Sequence, residues 1–143
     1  MRVKFDEQLE KLNVMLIDMG ALCEEAITYA VKALETGSDE MREKTFSTDE
    51  VIDEREREIE TACLKLILQQ QPVAKDLRRI SAALKMITDM ERIGDQTADI
   101  AEIVISANTE ESVDIKDIGR MASVVSKMVR DSVTSYVQKD LEL

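Results

Sequence analysis

Two pairs of carboxylates in this 143-residue chain have a spacing that can do chemistry: Asp49 with Asp53, and Glu91 with Asp95. A four-residue step is one turn of an α-helix, so each pair projects from one helix face with Cβ atoms about 5–6 Å apart. Like charges so placed cost an isolated helix roughly 0.2–0.5 kcal/mol, and a bridging cation turns that cost into a gain. Oxygen ligands alone suit hard cations, or iron and manganese, better than a structural zinc. Each pair also has a plainer reading. Asp49 and Asp53 run with Glu56 and Glu60 beside a hydrophobic seam, where charged flanks are commonly solvated or paired with Lys and Arg. Glu91 falls on a seam position between Ile87 and Gly94. A buried carboxylate there needs a partner, either a basic side chain such as Arg55 or Arg92, or a metal. Asp99 and Glu102 continue the acidic face, either extending a site or, the plainer reading, as surface residues. Gly94 costs a helix interior about 1 kcal/mol against Ala. Its place beside Glu91 points to close approach of a neighbouring helix or ligand, or else to local flexibility. Lys75, Arg78 and Arg79 oppose the dipole of a helix that starts near them, and either meet an anionic partner or form a solvated face.

The elements that must position these groups are helices. Breaks fall at Thr36-Gly37-Ser38-Asp39, at Gln71-Pro72 and over the polar stretch Ser106–Asp114. A glycine followed by capping residues, and a proline at a helix boundary, are the physical signals for the first two. Four long segments lie between: about Phe5–Glu35, Asp39–Gln70, Pro72–Ser106 and Ile115–Leu141. In the first, Phe5, Leu9, Leu12, Leu16, Met19, Cys23, Ala26 and Ala30 alternate steps of four and three, the heptad seam of a bundle. A second stripe, Met15, Leu22 and Leu34, widens it to touch two neighbours. The second seam runs Met41, Thr45, Thr48, Ile52, Arg55, Ile59, Ala62, Leu66. The third runs Val73, Leu77, Ile80, Leu84, Ile87, Glu91, Gly94, Ala98, Ala101, Ile105. The second and third helices should run antiparallel from Gln71-Pro72. Asp53 lies about 18 residues before that turn and Glu91 about 20 after it, so at about 1.5 Å per residue the acidic pairs should meet at one level. The fourth helix carries Ile118, Ala122, Val125, Val129 and Tyr136. The string Tyr29–Glu35 matches Tyr136–Glu142 at four of seven positions. The fold class expected is therefore all-α: a three-helix bundle over residues 1–110, plus one extra helix, residues 111–143, opening a second, incomplete three-helix repeat. That helix should leave the bundle with its apolar stripe uncovered and recruit a second copy, giving a homodimer.

Composition removes several function classes. The net charge is −11 and there is no histidine. The acidic balance argues against nucleic acid. Without histidine the commonest general base, the Ser-His and Cys-His nucleophiles and every His-ligated metal site are gone. That includes the ferritin-like di-metal enzymes, which need Glu-x-x-His motifs. Aromatic residues make up 3% of the chain, so the core must be aliphatic, with eight Met to fill gaps. No apolar run approaches the roughly 20 residues of a membrane helix, and the N-terminus lacks a signal-peptide pattern. The expected localisation is cytoplasmic. Cys23 and Cys63 read as small buried apolar residues in a reducing compartment, against the alternative of a disulfide.

Particular strings then resemble the PhoU family of phosphate-uptake regulators, over essentially the whole chain. They are the opening Met1-Arg-Val-Lys-Phe-Asp-Glu-Gln-Leu9, Asp49-Glu-Val-Ile-Asp53 with Glu56 and Ile59, Gln70-Gln-Pro-Val-Ala-Lys-Asp-Leu-Arg78 and Met90-Glu-Arg-Ile-Gly-Asp95. The resemblance implies two tandem three-helix bundles, of which this chain has the first and the opening helix of the second. It implies (Glu/Asp)-x-x-x-Asp metal motifs on the second and third helices, which by position are Asp49 and Asp53, and Glu91 and Asp95. The implied cofactor is an iron or zinc cluster, with manganese or magnesium as further candidates. The implied function is negative regulation of phosphate uptake and phosphate signalling, by a non-enzymatic adaptor between the phosphate ABC transporter ATPase and its sensor histidine kinase. The membrane would be reached only through those partners. The alternative is a generic helical interaction module with no metal site.

Overall fold

The structure, a computed structural model, describes residues 2–106 and 116–139. These form four helices: α1 (Arg2–Thr36), α2 (Asp39–Gln70), α3 (Ala74–Ser106) and α4 (Lys116–Gln138). Among the described residues there is no strand. From residue 107 the third break lies outside the described residues, together with the side chain of Ile105, the 110/111 boundary and the last positions of the short repeat.

The α1 seam is buried throughout, from Phe5 to Ala30, and forms the core with Ile52, Ile59, Cys63 and Leu66 of α2 and Ile80, Ala83 and Ile87 of α3. Gly37 ends α1 in the left-handed conformation, φ 63°, and its N–H donates to Ala33 O at 2.9 Å. Ser38 then caps α2: its hydroxyl accepts from the Met41 N–H, and Asp39 and Glu40 add negative charge to the positive helix end. These two connecting residues fold α2 back on α1. Gln71, itself left-handed at φ 43° and ψ 63°, ends α2 and reverses the chain into α3.

Two expectations are corrected. The inner row of α3 is Asp76, Ile80, Ala83, Ile87, Met90, Gly94, Thr97, Ala101, not the row through Leu77 and Glu91. Both rows share Ile80, Ile87, Gly94 and Ala101, and side-chain type favoured the wrong one, since Leu77 is 41% exposed while Asp76 is buried. Met90 therefore takes the core position and Glu91 stands at the edge, half-buried. The second correction concerns α4, which does not leave the bundle. It packs back along α1. Val129 and Val133 are buried, and a methyl group built on Gly20 would lie 3.0 Å from Val133 Cγ2, so the missing Cβ admits the valine. Arg130 pairs with Glu24 at 2.6 Å, and the Tyr136 hydroxyl donates to Arg79 O at 2.8 Å. The lower part of the apolar stripe is thus covered within the chain. The face left open is Met121, Val124, Val125 and Met128.

Candidate metal centre

Antiparallel α2 and α3 place Asp49 opposite Gly94. One carboxylate oxygen from each of Asp49, Asp53 and Asp95 lies within 4.8 Å of the other two. Three of the four residues expected at the site therefore converge. Glu91 stands outside that triad but next to it, close enough to Asp95 and Asp53 for their charges to act on it. Asp49 and Asp53 are half-buried and Asp95 faces solvent, so the cluster is a shallow surface site walled on its inner side by the core residue Ile52.

The charges in this cluster are only partly offset, by Arg57. Asp49 Oδ1, Asp53 Oδ1 and Glu56 Oε2 are out of contact with water and have no hydrogen-bond partner. Burial first, then the charges of Asp53 and Asp95, push the Asp49 carboxyl up to about 6. The hydrogen bond with Asp95, then burial and the Asp95 charge, push Glu91 up to about 7. Asp53 and Glu56 are raised by burial and by their acidic neighbours, against a smaller opposing effect of Arg57. Arg55, a basic partner suggested for Glu91, turns instead to Asp18 at 2.9 Å and Glu58 at 3.5 Å.

Glu56 and Asp99 lie beside the triad, Glu56 where a charged flank is expected and Asp99 where an extension of the site is the alternative to surface. Glu56 contributes a buried oxygen, and the charge of Asp99 reaches Asp49. The signal was present: they follow Asp53 by three and Asp95 by four residues, on the same helix faces. The basic residues at the start of α3 differ in setting. Lys75 and Arg78 are exposed, and Arg79 is drawn against Tyr136 and donates to Asn13 Oδ1 at 3.4 Å. Cys23 and Cys63 are free and buried. Burial pushes their thiols up to about 12 and about 11. No helix among the described residues is long and apolar enough to cross a membrane.

The donor set is all oxygen, its buried atoms lack partners, and the opposing wall has no side chain at Gly94. These observations fit a hard or borderline cation.

A profile of the PhoU family, the PhoU domain, matches residues 16–104. The chain is 39% identical over 140 residues to a phosphate-specific transport system accessory protein PhoU homolog of Clostridium acetobutylicum, covering 96% of this chain and 64% of that protein. It is 37% identical to a protein of the same name from Aquifex aeolicus, covering 96% and 63%. The crystal structure of PhoU from Pseudomonas aeruginosa superimposes with a TM-score of 0.87 at 30% identity, over 95% of this chain and 66% of that one. A phosphate transport system regulatory protein PhoU from Streptococcus pneumoniae superimposes with a TM-score of 0.81 at 27% identity, over 92% and 62%. The chain spans less than two thirds of the length of these two curated relatives.

Proposed function

Since the chain belongs to the PhoU family, we propose that it is a regulatory accessory component of a phosphate transport system, acting without catalysis. The observation that carries this reading is the likeness to phosphate-transport accessory proteins along nearly the whole chain. The finer reading is negative regulation, by an adaptor that joins the transporter ATPase to a sensor histidine kinase in the cytoplasm. The outer faces of α2 and α3, exposed and largely polar, suit such a role, since they offer extended surfaces for protein contact.

The acidic cluster would be its metal centre. Asp49, Asp53 and Asp95 would hold an iron, zinc or manganese cation, with Glu91, Glu56 and Asp99 beside them. A bound cation supplies the positive charge that the cluster lacks. The residues of α2 and α3 do the rest: they fix the carboxylates at one level.

Co-purification tests the adaptor. The protein should retain the transporter ATPase and the kinase at high phosphate and should lower expression from a phosphate-starvation promoter in cells lacking their own copy. Failure of both would overturn the regulatory reading. Metal content of untagged protein tests the centre separately. Partner binding by a protein without metal would favour the generic interaction module.

A further inference from the structure

We propose that Gly94 is the positioning residue of the carboxylate site: by lacking a side chain it provides the space that Asp49 Oδ1 occupies. The proposal rests on the metal reading above and assigns a task to a residue that can ligate nothing. A methyl group at position 94 would lie 2.8 Å from Asp49 Oδ1, 3.1 Å from Ile52 Cδ1 and 3.3 Å from Ile52 Cγ2. The first distance is shorter than a carbon and an oxygen tolerate, so something must shift. Ile52 is completely buried, and its Cγ2 is one bond from the Cβ, so it cannot retreat far. The Asp49 carboxylate, the end of a rotatable side chain, is the group that gives way. Its rotation takes Oδ1 out of its buried position and so out of the arrangement it shares with Asp53 and Asp95.

Gly94 also admits Ile52 of α2, and the tests below separate that packing contact from the carboxylate contact. The backbone at Gly94 is ordinary right-handed helix, since positive φ among the glycines is confined to Gly37. The Thr97 hydroxyl donates to Gly94 O at 2.6 Å, a bond that a side chain at 94 leaves intact. Helix propensity alone favours alanine here. Of the two groups that face the glycine, Asp49 Oδ1 makes the shorter contact, and it belongs to the cluster.

Gly20 supplies a matched control. It too lies in a helix interior against a close neighbour, Val133 Cγ2 at 3.0 Å from an added methyl, but it faces α4 rather than the acidic cluster. Metal-stripped parent, Gly94→Ala and Gly20→Ala should be titrated with Mn²⁺ alone by calorimetry, and their unfolding followed by circular dichroism. The parent should bind, Gly20→Ala should bind equally well, and Gly94→Ala should be weaker by about 10-fold or more, the scale seen when the support of a metal ligand is lost. A second variant, Gly94→Ala with Ile52→Val, removes the 3.1 Å contact, leaving Cγ2 at 3.3 Å, yet should stay weak because the 2.8 Å contact with Asp49 remains. Full affinity in either Gly94 variant overturns the proposal while leaving the metal reading intact. Equal loss in Gly20→Ala also overturns it, by showing general destabilisation. No binding by the parent overturns the metal reading itself.

Discussion

Asp49 and Glu91 make the metal-free protein sensitive to pH in a direction that their environment fixes. Their carboxyls are raised to about 6 and about 7 from 3.8 and 4.5, so the folded chain holds protons that the unfolded chain has released. The stability from this source is complete below about pH 4 and is lost as the pH rises through 6 and 7. Thermal unfolding in a chelator should therefore give a lower midpoint at pH 8 than at pH 5. The loss should be of order 1 kcal/mol, after allowance for the water that screens a half-exposed cluster. Saturating Mn²⁺ should flatten or reverse that slope, because a cation needs the ionised carboxylates. The variant Glu91→Gln with Asp95→Asn should lose most of the stabilisation by cation, measured as the shift in midpoint against the parent. The four-residue spacing made Asp49, Asp53, Glu91 and Asp95 visible in the sequence, and the count outward from Gln71-Pro72 placed them at one level. Spacing did not show that Met90 rather than Glu91 would fill the core, because two rows of α3 alternate identically and side-chain type misled. Nor did it weigh Glu56, which reads as flank until α3 arrives opposite.

At the scale of the helices, the connections and the α4 contact carry separable energies. Gly37→Ala has open space around it but must adopt φ 63°, so it should destabilise by about 1 kcal/mol in denaturant unfolding. Val133→Ala leaves a gap against Gly20 and should cost roughly 1–2 kcal/mol. Tyr136→Phe loses the bond to Arg79 O, about 1 kcal/mol, and hydrogen exchange should show α4 opening more readily than α2 or α3. Capping chemistry at Gly37-Ser38 and at Gln71-Pro72 marked the ends of α2 closely, because those signals are local. The return of α4 to α1 was hidden because it depends on Gly20 and Val133 meeting across more than a hundred residues. Each is an ordinary helix residue until the other is present.

For the molecule as a whole, charge and apolar surface act in opposition. A net charge of −11 repels copies of the chain, while Met121, Val124, Val125 and Met128 favour their association. Sedimentation should show a dimer that strengthens from 50 mM to 500 mM salt, as screening removes the repulsion. Met128→Lys should return it to a monomer, and a dimer that weakens with salt would exclude this face. The helical class and the antiparallel bundle were legible from heptad steps. The face left for association was not, because covering Val129 and Val133 with α1 moves it around α4. The two thiols make this architecture self-reporting. Cys23, wholly buried, points its sulfur at Met90 O 3.5 Å away, one residue from Glu91, while Cys63 lies in the core on α2. Neither should react with an aromatic disulfide reagent until its helix lifts, so their labelling rates act as two clocks. A cation that holds α2 to α3 should slow the Cys63 clock in proportion to its binding, giving a colorimetric reading of site occupancy without any added dye on the metal.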